Sequence, residues 1–259
     1  MTKDSPDIEP AKILWTGGWD STFQLLQLLI VQKRRVIPYY LIDEDRRSTG
    51  VELLSIKNIK SLLLKRFAHI RELLGPTQYY SVSDISHHSE ITESYNAILK
   101  KCFIGSQYEW LARFCEERSI SNLQLCIHND DKAHAAIANM VAVVSNNSEK
   151  VLQIDKQYSS TNEYTLFRYF TFPILGLTKL EMASIARTQG TDDIMGVTWF
   201  CHNPRNAQPC GTCNPCLYTI EEGLGWRIPL SRRFQSRISR LLFQPLKKLV
   251  KIALSKVQR

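Results

Sequence analysis

At 259 residues and 44% hydrophobic content, the chain can bury one sizeable α/β core, or a core plus a small appendage, without outside help. Its formal charge of +8 is unevenly spread: residues 231–259 hold nine Lys or Arg and no acid, while residues 1–230 hold 24 basic against 25 acidic groups. The basic pI therefore belongs to the tail, and no apolar run approaches the roughly 20 residues of a membrane span, LLQLLIVQ ending at Lys33, Arg34 and Arg35.

The polar start MTKDSPDIEP lacks the basic-then-apolar pattern of a secretory signal, so a cytoplasmic protein is expected. Residues 1–10 read as a flexible arm. AKILW reads as a buried strand, STFQLLQLLIVQK as a helix, and RVIPYYLID as a second strand with Pro38 near its start or at an edge. VELLSIKNIKSLLLKRF is the next helix. This strand–helix–strand–helix order predicts an α/β fold with a mostly parallel sheet and helices on both faces. QYYSV and NLQLCI read as further strands, and YEWLARFCEERSI and HAAIANMVAVVSN as helices. FTFPI ends in a proline turn, and LTKLEMASIARTQG is a helix closed by Gly190.

Between the first strand and first helix lies Thr16-Gly17-Gly18-Trp19-Asp20-Ser21-Thr22. At the carboxyl edge of a parallel sheet, two glycines let backbone N–H groups approach a polyanion, and a helix start favours phosphate. It is neither a Walker loop, which needs a lysine before the Ser/Thr, nor a G-x-G-x-x-G fingerprint. The simpler reading is a tight turn with Ser21 as N-cap.

Seven cysteines in a reducing compartment point to metal or thiol chemistry rather than disulfides. Cys102, Cys115 and Cys126 are scattered among apolar residues and read as core. Cys201-x8-Cys210-x2-Cys213-x2-Cys216 offers four thiolates from one loop, enough for a closed tetrahedral zinc site of structural type. An iron–sulfur cluster is the rival that spacing leaves open.

The glycine loop resembles the SGG-x-DS loop of PP-loop ATP pyrophosphatases, with Thr16 in place of the first serine. FCHNPRNAQPCGTCNPC resembles the C-x-N…C-G-x-C-x-x-C signature of the 7-cyano-7-deazaguanine synthases. Pro173-x5-Lys179-x-Glu181 and Asp43-x3-Arg47 resemble two more of that family's segments, so the likeness runs from about residue 12 to 225. It implies a Rossmann-like (adenine nucleotide alpha hydrolase-like) ATP-binding domain over residues 11–198, a zinc-binding segment over 199–230 and a separate tail over 231–259.

The same resemblance implies ATP, Mg²⁺ and Zn²⁺ as cofactors. Thr16, Gly17, Gly18, Asp20, Ser21 and Thr22 would hold the pyrophosphate end of ATP, with Asp43 and Arg47 also on the nucleotide. Asp20 and Lys179 would be catalytic, Asp20 orienting Mg²⁺ or pyrophosphate and Lys179 supplying charge to the transferring phosphate. Read on their own, Lys179, Glu181 and Arg47 are solvated charges. The implied reaction adenylates a 7-deazaguanine carboxylate and converts it with ammonia to an amide or nitrile.

Three departures bear on the substrate. HNDDKAHAAI stands where the family has a Gly-Tyr-Pro-Asp-Cys-Arg-like segment, Gly105-Ser106-Gln107-Tyr108 replaces an arginine-bearing loop, and Thr219 replaces an arginine after the last cysteine. Asp130, Asp131, Lys132 and His134 are the residues that would define a changed substrate. The tail interleaves apolar and basic residues at helical spacing, broken by Pro245. It suits an anionic membrane, RNA or an acidic protein partner, or packs on the body. Similar enzymes occur in anti-phage defence operons, so a protein acceptor is one expectation, and a homo-oligomer or larger complex another. A tRNA-modifying PP-loop enzyme and a non-catalytic ATP- and zinc-binding subunit are the alternative functions.

Overall fold

A computed structural model of the chain describes residues 9–146 and 149–234. Most of the N-terminal arm and of the basic tail lies outside the described residues. Glu9 and Pro10, the described end of that arm, are not loose: Glu9 pairs with Lys12 at 2.8 Å and its carbonyl accepts from Arg34.

The strands in chain order are β1 (Ala11–Leu14), β2 (Val36–Ile42), β3 (Gln78–Ser81), β4 (Leu123–Gln124), β5 (Val141–Asn146), β6 (Glu149–Ile154) and β7 (Phe170–Thr171). Five of them form one all-parallel sheet in the order β3-β2-β1-β4-β7. The helices are α1 (Trp19–Leu26), continued by a π turn to Val31, α2 (Thr49–Arg66), α3 (Ile70–Leu73), α4 (Ser89–Lys101) and α5 (Gln107–Glu117). They continue with α6 (Lys132–Ile137), α7 (Asn162–Phe167), α8 (Lys179–Thr188), α9 (Asp192–Gly196) and α10 (Asn214–Glu221).

The two-residue period of the strands sorts the core into two layers. Ala11, Ile13, Val36 and Tyr40 pack with residues of α1, α2, α8 and α9, whereas Leu14, Ile37, Tyr39 and Leu41 face α4, α5 and α7. Burying both faces is what the near-continuous apolar strands require, and it makes the α/β arrangement expected from sequence. No described helix is long and apolar enough to cross a membrane.

Two expectations are corrected. HAAIANMVAVVSN is not one helix: α6 ends at Ile137, and Val141–Asn146 forms the hairpin β5–β6. Val141, Val143 and Val144 are β-branched, and their pairing with Ile154, Leu152 and Val151 outweighs the helical pattern upstream. Pro38 is the third residue of β2, near the strand's start as expected, and β2 itself is internal to the sheet. Pairing with β3 begins only at Tyr39, so the missing N–H of Pro38 falls where no ladder bond is needed. NLQLCI yields only the two-residue β4, because Leu125 onward already belongs to the loop entering the site.

α4 is missing from the elements expected above, although its inward face, Ile91, Ser94 and Ile98 with Tyr95 and Leu99 half-buried beside them, recurs at helical spacing. α8 starts with a capping box in which the Thr178 hydroxyl accepts from the Glu181 N–H and the Glu181 carboxylate accepts from the Thr178 N–H. Glu181 is exposed and held in that cap, which is the bland role its position allowed. Gly190, with φ of 64°, closes the helix as its sequence implied.

Candidate functional site

The strand order reverses between β1 and β4, and in open parallel sheets the crevice beyond the carboxyl ends at such a point receives ligands. A cleft of about 590 Å³ lies there, within the size range of small-molecule sites. Its walls come from the glycine loop after β1, the loops after β2 and β4, the start of α5, Lys179 of α8, and the cysteine-rich segment.

Thr16, Gly18, Asp20, Asp43 and Lys179 all line this cleft. Gly17, Ser21, Thr22 and Arg47 do not. Gly17 lies beneath the loop with φ of 69°, where a Cβ would stand 3.0 Å from Ile56 Cγ1. Its carbonyl accepts from the Trp199 N–H at 2.9 Å and from Ser55 Oγ at 3.2 Å. Ser21 Oγ accepts from the Thr16 N–H at 3.4 Å, bracing the loop from below. Thr22 is fully buried, its hydroxyl accepting from Trp15 Nε1 and its N–H bonded to the Gly18 carbonyl, so neither group is left for a ligand. Arg47 is exposed, and Arg46 takes the place in the cleft wall expected of it. The reason is Glu52, a buried carboxylate on α2 that holds Arg46 at 3.5 Å while accepting from Tyr40 and Ser48.

Replacing Gly17 by alanine is expected to cost about 1–2 kcal/mol, because the left-handed backbone is strained for an L side chain and the methyl presses on Ile56. A urea unfolding midpoint lowered by that amount, with Gly18→Ala lowered less, checks it.

At the floor of the cleft is a cluster of charges. Lys179 Nζ lies 2.8 Å from Glu222 and 3.8 Å from Asp20. Burial works to lower the Lys179 pKa, but the charges of Asp20 and Glu222 outweigh it and hold it above its ordinary value. Its folded value therefore exceeds the unfolded one of about 10.4. The stabilisation is fully present at neutral pH and is lost as pH climbs through the raised value. Asp20 keeps Oδ1 buried without a hydrogen-bond partner. His128 Nδ1 accepts from the Asp130 N–H at 3.1 Å, so its Nε2–H faces Glu222 at 3.8 Å.

Glu222, Arg227, His128 and Arg46 carry no signal in the sequence. They come from loops and turns outside any recognisable spacing, and only the tertiary contacts bring them to Asp20. Of the segment HNDDKAHAAI, His128, Asp130, Asp131 and Lys132 reach the cleft and His134 does not. Asp131 is the N-cap of α6 and accepts from the Ala133 N–H at 2.8 Å, which aims His134 one turn onward along the helix and away.

The sulfurs of Cys201, Cys210, Cys213 and Cys216 lie within 4.8 Å of one another. Pairwise distances of 3.5, 3.8 and 3.9 Å bracket the S···S separation of about 3.8 Å that a tetrahedral ion with metal–sulfur bonds near 2.3 Å requires. Backbone N–H groups of Thr212 and Cys213 point at Cys210 Sγ, and that of Cys210 at Cys201 Sγ. Cys213 Sγ lies within hydrogen-bonding reach of both Cys201 Sγ and Cys216 Sγ. The four cysteines can hold a single metal ion such as zinc. A cluster whose cysteines bind different irons would hold the sulfurs farther apart.

The metal loop and the cleft are one construction. Trp199 bonds the glycine loop through Gly17 and caps the Cys201 carbonyl through Nε1 at 2.7 Å. Phe200, Tyr218, Glu222 and Arg227 then extend from the metal segment into the cleft wall. A scan against protein-family models finds no match for the chain, and a search of curated proteins finds none.

Mg²⁺ takes one or two carboxylates together with phosphate oxygens, and Asp20 Oδ1 is a buried carboxylate oxygen without a partner beside two cations.

Proposed function

We propose that the chain is an ATP-dependent PP-loop enzyme, Rossmann-like (adenine nucleotide alpha hydrolase-like) in fold and similar to the 7-cyano-7-deazaguanine synthases. It adenylates a 7-deazaguanine carboxylate and converts it to an amide or nitrile. The observation that carries this reading is the meeting of Asp20, with its unpartnered Oδ1, and Lys179 at 3.8 Å, on a Gly-Gly loop at the switch point of a parallel sheet. When bound, ATP supplies the adenylyl group, and pyrophosphate is the leaving group.

In this reading the chain's own residues position and neutralise. Gly18 and Thr16 line the loop rim and would offer backbone and hydroxyl donors, and Asp20 would give its spare oxygen to Mg²⁺. Lys179, held in place by Glu222, would supply positive charge to the departing phosphate. Such preorganised charge is what adenylyl transfer needs most, since no side-chain nucleophile takes part. His128, with Nε2–H toward Glu222, keeps that carboxylate oriented. Zn²⁺ in the four-cysteine loop would be structural, with no open position for water.

The test is incubation with Mg-ATP and 7-carboxy-7-deazaguanine, with and without ammonia, followed by mass spectrometry of AMP, pyrophosphate and the base. AMP with amide or nitrile supports the reading. ATP binding without AMP on this substrate ends the small-molecule synthase reading and turns attention to a macromolecular acceptor, tRNA or protein.

A further inference from the structure

Of the four cations that line the cleft, Arg46, Lys132, Lys179 and Arg227, the last two are not equivalent. Lys179 is already matched by two carboxylates, at 2.8 and 3.8 Å. Among the described residues no carboxylate lies within ion-pair distance of Arg227, although the charge of Asp20 acts on it from farther off. It sits in the turn Gly225–Arg227, beyond the last cysteine, with its guanidinium between the rings of Trp19 at 4.9 Å and Phe200 at 4.7 Å. Nη2 donates to Thr198 Oγ1 at 2.6 Å and to the Thr198 carbonyl, which fixes the plane of the fork. Nε is shielded from solvent and has no partner, and neither has Trp19 Nε1 beside it.

Two unmatched donors, one of them charged, on the wall of a cleft ask for an acceptor. Buried polar groups are otherwise paired almost without exception, and an unpaired charge is costlier still. With Nη2 given to Thr198, Nε and Nη1 are the guanidinium donors left for an anion, and a charged donor binds one more strongly than a neutral donor does.

We propose that Arg227 and Trp19 Nε1 form an oxyanion-binding subsite of the cleft, for a phosphoryl group of a nucleotide or the carboxylate of the acceptor. Which of the two ligands occupies it rests on the function proposed above, while the subsite itself does not. The subsite is built by the cysteine-rich segment, since Arg227 reaches Trp19 only because Trp199 and Phe200 dock that segment on the glycine loop.

Calorimetric titration of the zinc-loaded full chain with Mg-ATP, inorganic pyrophosphate and 7-carboxy-7-deazaguanine tests it. Arg227→Met keeps the apolar stem between the rings and removes the charge. It should weaken binding of at least one ligand by about 10- to 100-fold, with partial recovery in Arg227→Lys, while zinc content and melting temperature hold. Weakening toward ATP and pyrophosphate assigns the subsite to phosphoryl, and toward the carboxylate alone to the acceptor. Should Arg227→Met fail to fold, Thr198→Val, which frees the fork, is expected to weaken the same ligand several-fold.

Unchanged affinity for all three ligands in the folded variant, or in Thr198→Val where the former does not fold, would make Arg227 a strut between two rings and overturn the subsite. Wild-type protein that binds none of the three overturns it as well. Protein that binds pyrophosphate through Arg227 but not Mg-ATP sinks the enzyme reading and leaves the subsite standing.

Discussion

Cys210→Ser is expected to strip most of the bound metal, lower the melting temperature by several degrees, and weaken Mg-ATP binding at least tenfold. A structural Zn²⁺ in a small four-ligand loop contributes on the order of 10 kcal/mol of local folding free energy. The segment around the cysteines has little else, its own apolar cluster being Ile228 with Trp199, Phe200 and Ile220 around the buried cysteines. Without the ion, four thiols crowded within 4.8 Å have no common partner. The walls lost with them would be Trp199, Phe200, Glu222 and Arg227, so a metal held by the four cysteines would shape the adjoining cleft.

The parallel sheet should survive, because its two core layers draw on β1, β2 and the flanking helices and not on the metal loop. Metal analysis, circular dichroism and a binding titration together check this outcome. Cys102→Ser is the control and should keep the metal, since Cys102 lies away from the cluster at the end of α4. If Cys210→Ser protein binds Mg-ATP with wild-type affinity, the metal loop is an appendage and not a wall of the site.

Asp20→Asn is expected to reduce AMP formation by about 100- to 1000-fold, the range seen when one preorganised electrostatic contact is removed from a transition state. The substitution preserves shape and keeps α1 intact, so stability should change by no more than about 1 kcal/mol. Lys179 retains Glu222 at 2.8 Å, and loses the carboxylate charge of Asp20 that helps hold its pKa up. Its alkaline transition should therefore move to lower pH in the variant. A folded Asp20→Asn protein with wild-type AMP production would remove Asp20 from the chemistry and leave it a partner of Lys179.

Much of the frame was legible from local pattern. Strand–helix alternation, the Gly-Gly turn and the cysteine spacing are set by neighbours within a few residues, and such signals survive without knowledge of the whole. Gly190 closing α8 and Thr178 with Glu181 capping it are of the same kind. The failures were equally physical. β5 was obscured because Val141 and Val144 find their partners Ile154 and Val151 only after the hairpin closes. Thr22 looked like a phosphate ligand until Trp15 claimed its hydroxyl in the core.

Backbone period, turn chemistry and ligand spacing are local, and they suffice for the parallel α/β frame, the loop after β1 and a four-thiol loop able to hold a metal. Which charges meet depends on packing between distant elements. Asp20, Lys179 and Glu222 come within reach because α1 packs on α8 and the turn that ends α10 meets the start of α8. Arg46 displaced Arg47 because buried Glu52 holds it. Arg227 reached the cleft because the metal segment is bonded to the glycine loop through Trp199 and Gly17, a contact that spans most of the chain and leaves no local trace.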